Sequence, residues 1–366
     1  MGLFGKKTNQ KQAQQEQQAQ KETEVYIQGA GGTIVTKSIL NGTSRLKWMF
    51  RQESEHGNGW VAFGDTDSQE YVDDAKNMAI VDFNTLANIE PAVVNIFYMP
   101  VGSDLEFRSD KTGKYFVDTR TGEKIRERVK SPLQLAFEQN LKFISKIVLE
   151  TELVKEIFET NGKIRHFTME NCGFPTGRVI AADPLCCLQS PQHTTVLEPQ
   201  ILPGNYPVIL AVMDSLVAGR RIVGAKMIIT SKAAVKYEPA EAFRKKDGQW
   251  EKTFAGIPVD AGLVCFCDEK AAESYWRFID KWYGQNPKGN LYDDYFCRLF
   301  AKSYQQNPEY QRPEGDFLQW ENPEDGTQIA MFASGLGDGY YSPYWGMDED
   351  GRICELVVVF MDPKLF

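Results

Sequence analysis

The segment Ser334-Gly-Leu-Gly-Asp-Gly-Tyr-Tyr-Ser-Pro-Tyr-Trp-Gly346 decides how the C-terminal part of this 366-residue chain folds. Its glycines allow backbone angles that other residues rarely adopt, and its aromatic side chains offer large packing surfaces with polar tips. A polar stretch, Met347 to Gly351, ends in Asp-Gly, and the run Ile353 to Phe360 is mostly apolar. The segment therefore predicts an elaborate turn that leads into a β-hairpin.

Short apolar runs with turn residues at their ends surround this segment, and each predicts a strand. They are Val179 to Ala182, Val208 to Val212, Ile222 to Ile229, Leu263 to Phe266, Ile329 to Ala333 and Glu355 to Phe360. Two helices interrupt the strands. Asp268 can cap the first, which Gly284 should end, and Asn290 can cap the second, which should end at Asn307-Pro308. The region is predicted to be mainly β with a helical hairpin insertion.

Three further motifs accompany the Ser334–Gly346 segment. They are Gly177-Arg-Val-Ile-Ala-Ala-Asp-Pro184, Pro203-Gly-Asn-Tyr-Pro207 and Val259-Asp-Ala-Gly262. Together they resemble the bacterial family of unknown function DUF4241, over roughly residues 162 to 362. The chain departs from that pattern where Val359-Phe360 replaces the usual Asp-Phe pair. The resemblance names a family without naming a reaction.

The N-terminal third alternates short strands with one helix. Leu46 to Phe50 and Trp60 to Phe63 are β-type runs joined by a polar stretch, which predicts a hairpin. Asp82 can open a short helix that stops near Pro91, and Ala92 to Tyr98 predicts a buried strand. This is the pattern of a small α+β domain.

Several motifs of this domain follow one another in a fixed order. They are Met49-Phe-Arg-Gln-Glu53, Gly59-Trp60, Phe63-Gly-Asp65, Tyr71-Val-Asp-Asp74 and Met99 to Phe107. In this order they resemble the Imm33 (DUF2185) immunity-protein domain. The resemblance implies a domain that stands beside polymorphic toxins in bacteria and protects the producing cell.

The sequence predicts an α+β protein of two domains with flanking segments. Residues 1–32 form a Gln-rich tail expected to be disordered, and 33–110 form the Imm33-like domain. Residues 111–161 form a polar connection from Lys111 to Arg128 followed by helices, and 162–366 the DUF4241-like domain. Ser131-Pro132 starts the first of these helices, whose predicted apolar face consists of Leu133, Phe137, Leu141, Ile144 and Val148.

Composition favours a cytoplasmic protein. The seven cysteines are odd in number and scattered, unlike the framework of a small secreted protein, and they favour a reducing compartment. We find no signal peptide and no apolar run long enough to span a bilayer. Lys6 stands where a myristoylation motif requires Ser or Thr, so Gly2 is not expected to carry a lipid.

The net charge of −9 is concentrated between Arg51 and Asp110, where twelve acidic residues face three basic ones. This charge argues against nucleic acid or an anionic membrane as the partner. Such a field would steer a basic protein, and a toxin that cuts nucleic acid is commonly basic. Solvated acidic faces are common too, and the immunity resemblance favours the toxin interpretation. The candidate partner-binding residues are Trp60, Asp65, Asp67, Glu70, Asp73 and Asp74.

A second hypothesis places a ligand site in the C-terminal domain. Its candidate residues are Arg178, Asp183, Asp338, Tyr340 and Trp345. Arg178 and Asp183 could form a buried ion pair or line a pocket with Asp338. The glycines on both sides of Asp338 could hold its carboxylate toward a ligand or let it bond neighbouring amides. On this alternative the domain is a hydrolase, or a sensor that binds a small molecule unchanged.

Other chemical patterns are weaker, and we predict no cofactor and no metal. His166 with Cys172, or His193 with Cys186 and Cys187, could form a nucleophile and base, but no nucleophile motif surrounds them. Cys265 and Cys267 would share a strand face, where Cys186 or Cys354 could complete a zinc site, but the spacing is poor. Asp348 and Asp350 match a hairpin turn better than a calcium loop.

Overall fold

The computed structural model describes residues 24–146, 148–159, 162–189, 194–246 and 249–366, and for residues 244–246 and 249–251 it describes the backbone alone. The predicted disordered tail therefore lies largely outside the described residues. The chain forms two compact units, Met1–Ser131 and Pro132–Phe366, here called the N-terminal and C-terminal units. Helix accounts for 25% and strand for 36%, which confirms the predicted α+β class. In the described ranges, no helix is both long and apolar enough to cross a membrane.

The N-terminal unit is built on one seven-stranded sheet with the order β4-β1-β3-β2-β5-β6-β7. Its strands are β1 (Gly32–Thr36), β2 (Leu46–Arg51), β3 (Trp60–Gly64), β4 (Met78–Asp82), β5 (Asp104–Asp110), β6 (Gly113–Asp118) and β7 (Lys124–Ile125). Its helices are α1 (Lys37–Leu40), α2 (Gln69–Asp73) and α3 (Phe83–Ile89), with 3-10 turns at Ala75–Asn77 and Pro91–Ile96. β1 and β3 are parallel, and the other neighbours are antiparallel. The predicted β2–β3 hairpin is confirmed.

Two expectations for this unit were wrong. The predicted strand from Ala92 to Tyr98 is the 3-10 turn Pro91–Ile96, in which Val93, Val94 and Ile96 are buried. Proline fixes a helical φ there, and the Glu90 side chain accepts a bond from the Ala92 N–H, so helical geometry wins over the apolar run. The expected connection from Lys111 to Arg128 contains β6 and β7, which complete the sheet.

The C-terminal unit contains two larger antiparallel sheets, β15-β23-β24-β14-β13-β8 and β10-β19-β21-β20, and three small ones, β11-β16-β17, β12-β9 and β18-β22. Its strands are β8 (Ile164–Thr168), β9 (Cys172–Phe174), β10 (Val179–Ala182), β11 (Leu197–Glu198), β12 (Gly204–Tyr206), β13 (Val208–Ser215), β14 (Gly219–Ile228), β15 (Lys236–Pro239), β16 (Glu241–Lys246), β17 (Gln249–Phe254), β18 (Ile257–Val259), β19 (Leu263–Asp268), β20 (Phe317–Glu321), β21 (Gln328–Ala333), β22 (Gly339–Tyr341), β23 (Pro343–Met347) and β24 (Ile353–Val359). All six predicted strands are present. Both larger sheets contribute to one apolar core, within which Phe332 and Phe360 have ring centroids 6.2 Å apart.

The helices of this unit are α4 (Pro132–Ile144), α5 (Thr151–Phe158), α6 (Glu269–Gln285) and α7 (Cys297–Gln306), with a π turn at Tyr292–Phe296 and a 3-10 turn at Pro363–Leu365. Asp268 caps α6 by accepting a 2.9 Å bond from the Lys270 N–H, as predicted. The helix continues through Gly284 and ends at Gln285, so the predicted stop was one residue early. The hairpin insertion of α6 and α7 is present as expected.

The predicted apolar face of α4 is only partly correct. Leu133, Phe137 and Leu141 are 39%, 37% and 40% exposed, whereas Ala136 and Asn140 are buried. The Asn140 side chain donates a 2.9 Å bond to the Phe360 carbonyl oxygen and accepts one of 3.0 Å from the Asp362 N–H. The buried Asn140 amide and its two backbone partners thus fix which face of α4 contacts the rest of the unit. Apolar periodicity in the sequence does not reveal such a contact.

Candidate functional site

Two of the candidate acids stabilise the loop that follows β3. Asp65 accepts bonds of 2.9 Å from the Ser44 hydroxyl and from the Arg45 N–H. These bonds lower the pKa of Asp65. Asp67 accepts 2.6 Å bonds from the Ser38 hydroxyl and the Gly64 N–H. Both carboxylates therefore have structural partners within the unit.

The other three acids lie on or just after α2, and all three are exposed. The Ser68 hydroxyl caps this helix by accepting a 3.2 Å bond from the Tyr71 N–H. Asp73 accepts a bond from the Gln69 side chain, and Asp74 accepts one from the Lys76 N–H. We call Glu70, Asp73 and Asp74 the acidic face. It presents negative charge to solvent from an ordered, capped segment.

Trp60 lies in the core instead of on this face. Its side chain is 1% exposed, and its indole N–H donates a 3.1 Å bond to the Phe97 carbonyl oxygen. The Arg51 guanidinium lies 5.8 Å from the Trp60 ring and donates a 2.6 Å bond to the Met99 carbonyl oxygen. The expectation that Trp60 contacts a partner is corrected, because the Trp60 side chain on β3 points into the core of the N-terminal unit.

Asp183 and Arg178 lie at opposite ends of β10 and do not form a pair with each other. The buried Asp183 carboxylate accepts bonds from four backbone N–H groups, those of Leu185, Cys186, Asp260 and Ala261, at 2.8 to 3.2 Å. Arg178 donates a 2.7 Å bond to Glu269 instead. Asp183 therefore joins the turn after β10 to the turn after β18 through backbone hydrogen bonds.

The remaining three candidates lie in or just after the glycine-rich turn that follows β21, and they differ in exposure. Asp338 and Tyr340 are exposed, while Trp345 is buried and its indole N–H donates a 2.7 Å bond to the Glu198 carbonyl oxygen. The Tyr341 hydroxyl closes the turn with bonds to the carbonyl oxygens of Ser334 and Gly337, at 3.0 and 2.8 Å. The five ligand candidates are thus distributed between core and surface.

A cavity of about 700 Å³ opens beside this turn. The turn at 335–337, the 261–263 segment and the helical hairpin form its walls, and Arg221, Arg312, Tyr283 and Tyr292 line it. Sequence reasoning missed both arginines. The pair Arg220-Arg221 at the start of β14 is the one local signal, and it does not indicate that Arg312 lies nearby.

The cysteine and histidine candidates have other partners. His166 lies 2.9 Å from the Ile157 carbonyl oxygen, through Nε2, and the Cys172 thiol lies 3.4 Å from that of Gln328. Burial raises the pKa of Cys172 to about 12, which disfavours the thiolate. His193 lies outside the described residues. Within the part of the chain that the structure describes, no three metal-ligating side chains are grouped to hold an ion.

The interpretation of Asp348 and Asp350 as a hairpin turn is confirmed. Asp348 accepts bonds from the Asp350 and Arg352 N–H groups, at 3.0 and 2.9 Å, between β23 and β24. Gly351 has a φ of 72°, a left-handed conformation that favours glycine. Both carboxylates therefore belong to the turn, and Lys232 Nζ lies 2.6 Å from Asp350 Oδ2.

Each of the two units contains a region that matches a known protein family. Residues 33–117 match the immunity protein Imm33 domain, which indicates an immunity-type function and a protein as the kind of partner. Residues 172–358, more than half of the chain, match the family described as protein of unknown function (DUF4241). The chain therefore belongs to the DUF4241 family and carries an Imm33 domain ahead of the family region, and both predicted resemblances are confirmed. No curated protein and no solved structure matches the chain.

Proposed function

We propose that this protein is a bacterial cytoplasmic immunity protein of a polymorphic toxin system. On this proposal it binds and neutralises a basic toxin through the N-terminal unit. The observation that carries the proposal is the excess of twelve acidic over three basic residues between Arg51 and Asp110, within a segment that matches the Imm33 domain. A protein of that charge can occupy the groove in which a nucleic-acid-cutting toxin binds phosphates.

The acidic face is the proposed contact surface. Asp65 and Asp67 shape the loop that leads to α2, and Glu70, Asp73 and Asp74 remain exposed on it. Exposed charges on an ordered segment raise association rates without a large ordering cost. The C-terminal unit would act as a second recognition or scaffold module.

The proposal is tested by capturing partners from the bacterium that encodes the protein, at low and at high salt. We expect a protein with excess positive charge to bind wild type and to be released at high salt, because screening weakens exposed charge pairs. The triple variant E70Q/D73N/D74N should lose this capture. Its matched control, E273Q/D280N/E349Q, removes three exposed acids of the C-terminal unit and should retain it. Equal capture by wild type and the triple variant would contradict the proposed contact surface.

A further inference from the structure

The cavity of the C-terminal unit is lined by an arginine, Arg221, that forms no ion pair among the described residues. The guanidinium of the half-buried Arg221 donates a 2.7 Å bond to the Arg220 carbonyl oxygen. Guanidinium groups that leave water are usually paired with a carboxylate or phosphate. Arg221 has five N–H donors, so it retains donors for a ligand oxygen.

Arg312 lies at the same cavity and is held in place. It donates to Asp316 Oδ1 through Nε at 2.9 Å and through Nη2 at 2.6 Å, and its backbone N–H donates to Oδ2 at 2.7 Å. Burial, and then the charge of Arg312, lower the pKa of Arg221, while the carboxylates of Asp316 and Glu314 raise it. Asp316 already neutralises Arg312, so Arg221 is the guanidinium at this cavity that remains able to bind an anionic ligand.

The rest of the cavity suits a small organic molecule. Its volume of about 700 Å³ lies within the range of ligand pockets. Tyr283 and Tyr292 add aromatic surface to its lining, and Leu263 and Leu336 add apolar surface. Glu314 also lines the cavity but is exposed, so water screens its charge more than that of the half-buried Arg221.

We infer that this cavity binds a small organic anion, whose carboxylate or phosphate group contacts Arg221 beside Arg312 and whose apolar or aromatic body packs against Tyr283 and Tyr292. The site is displaced from the residues that the sequence indicated. The 260–262 turn that Asp183 fixes leads directly into its wall. The inference does not depend on the proposed toxin binding, which concerns the N-terminal unit.

The test uses three probes on the full chain: phenyl phosphate, benzoate and inorganic phosphate, with binding measured by isothermal titration calorimetry. We expect phenyl phosphate or benzoate to bind with a Kd at or below about 1 mM, and the tighter of the two identifies the anionic group. Inorganic phosphate should bind more weakly than phenyl phosphate, because it lacks the ring that contacts the tyrosines.

Variants distinguish binding at this cavity from unspecific attraction to positive charge. R221Q should weaken binding of the tighter probe at least about tenfold, whereas R277Q, which removes an exposed arginine on α6, should leave it unchanged. R221K retains the charge without the planar fork, should bind with intermediate affinity, and provides a second reading if R221Q does not fold. The inference is overturned if neither organic probe binds at about 1 mM, or if R221Q and R221K both bind as wild type.

Discussion

The Asp183 carboxylate accepts a 2.8 Å hydrogen bond from the Ala261 backbone N–H, and this bond connects the end of β10 to the turn that forms one wall of the cavity. The same oxygen also accepts a 3.0 Å bond from the Asp260 N–H. The other oxygen holds the turn after β10. One buried carboxylate therefore sets the relative position of two segments that are distant in sequence.

Asp183→Asn should destabilise the protein by about 2–3 kcal/mol, because an amide supplies one acceptor oxygen where the carboxylate supplies two, and its NH₂ group would face two backbone donors. The midpoint of urea unfolding, followed by circular dichroism, measures the effect. Asp338→Asn is the control: Asp338 is exposed, so the change should stay within about 0.5 kcal/mol. Equal midpoints for wild type and D183N would show that the four hydrogen bonds to the Asp183 carboxylate add little to the stability of the protein.

The acidic residues of the N-terminal unit should divide into two groups by how much their substitution lowers the stability of the protein. Asp67→Asn should cost about 1–3 kcal/mol, because Asp67 binds both the Ser38 hydroxyl and the Gly64 N–H. Glu70→Gln should cost less than about 0.5 kcal/mol, since Glu70 is exposed. Hydrogen exchange of peptides covering Ser38 to Asp67 provides the measurement. Faster exchange in D67N alone is the expected result, and faster exchange in E70Q would assign a structural role to the acidic face.

Local sequence signals predicted much of the C-terminal fold. The six apolar runs are strands because their side chains are buried on both faces, and the Asp268 cap is correct because the capping bond joins near neighbours in sequence. The strand predicted from Ala92 to Tyr98 was wrong because that prediction used apolar content without the local signals at its start. Apolar content alone cannot separate a buried strand from a buried helical turn, and Pro91 and Glu90 decide for the turn.

The candidate site was less predictable because it depends on contacts between distant segments. Asp183 and Trp345 were predicted to bind a ligand, but both are engaged by backbone groups far away in sequence, at Ala261 and Glu198. Arg221 and Arg312 line one cavity because β14 and the segment before β20 converge there. Neither arginine has a neighbouring motif that would show this.

Cys186 should react slowly with iodoacetamide although it is exposed. Desolvation and then the carboxylates of Asp183 and Asp260 raise the pKa of Cys186 to about 11, so little thiolate is present at neutral pH. At about pH 8 we expect alkylation on the order of tenfold slower than for a small thiol of ordinary pKa, because the lost thiolate fraction outweighs the higher nucleophilicity. Mass spectrometry of the labelled peptide measures the rate.

Asp260→Asn is the informative variant for this thiol. Removing a nearby negative charge should lower the pKa of Cys186 and speed its alkylation, and the exposed Asp260 carboxylate can be replaced without creating a cavity. A rate in wild type that levels off below about pH 9 would contradict the raised pKa and would reopen the question of an activated cysteine.

Stability should fall in alkaline solution, in part through Tyr237. Its hydroxyl donates a 2.6 Å bond to the buried Glu355 carboxylate, which also lies 3.4 Å from Lys226 Nζ. Burial, followed by this bond and by the charge of Glu355, raises the pKa of Tyr237 far above its ordinary value. The unfolded chain ionises this tyrosine near pH 10, while the folded chain retains the proton.

The unfolded state therefore binds fewer protons than the folded state above about pH 10, and the free energy of unfolding decreases as the pH rises. Tyr237→Phe should be less stable than wild type at about pH 8 by about 1.5–3 kcal/mol, because the bond to a charged acceptor is lost. From about pH 9 to pH 11 the gap should narrow by about 1.4 kcal/mol, since phenylalanine cannot ionise. Urea unfolding at several pH values measures both proteins. A gap that stays constant over this range would show that Tyr237 titrates alike in the folded and unfolded chains, and that its bond to Glu355 does not retain the proton.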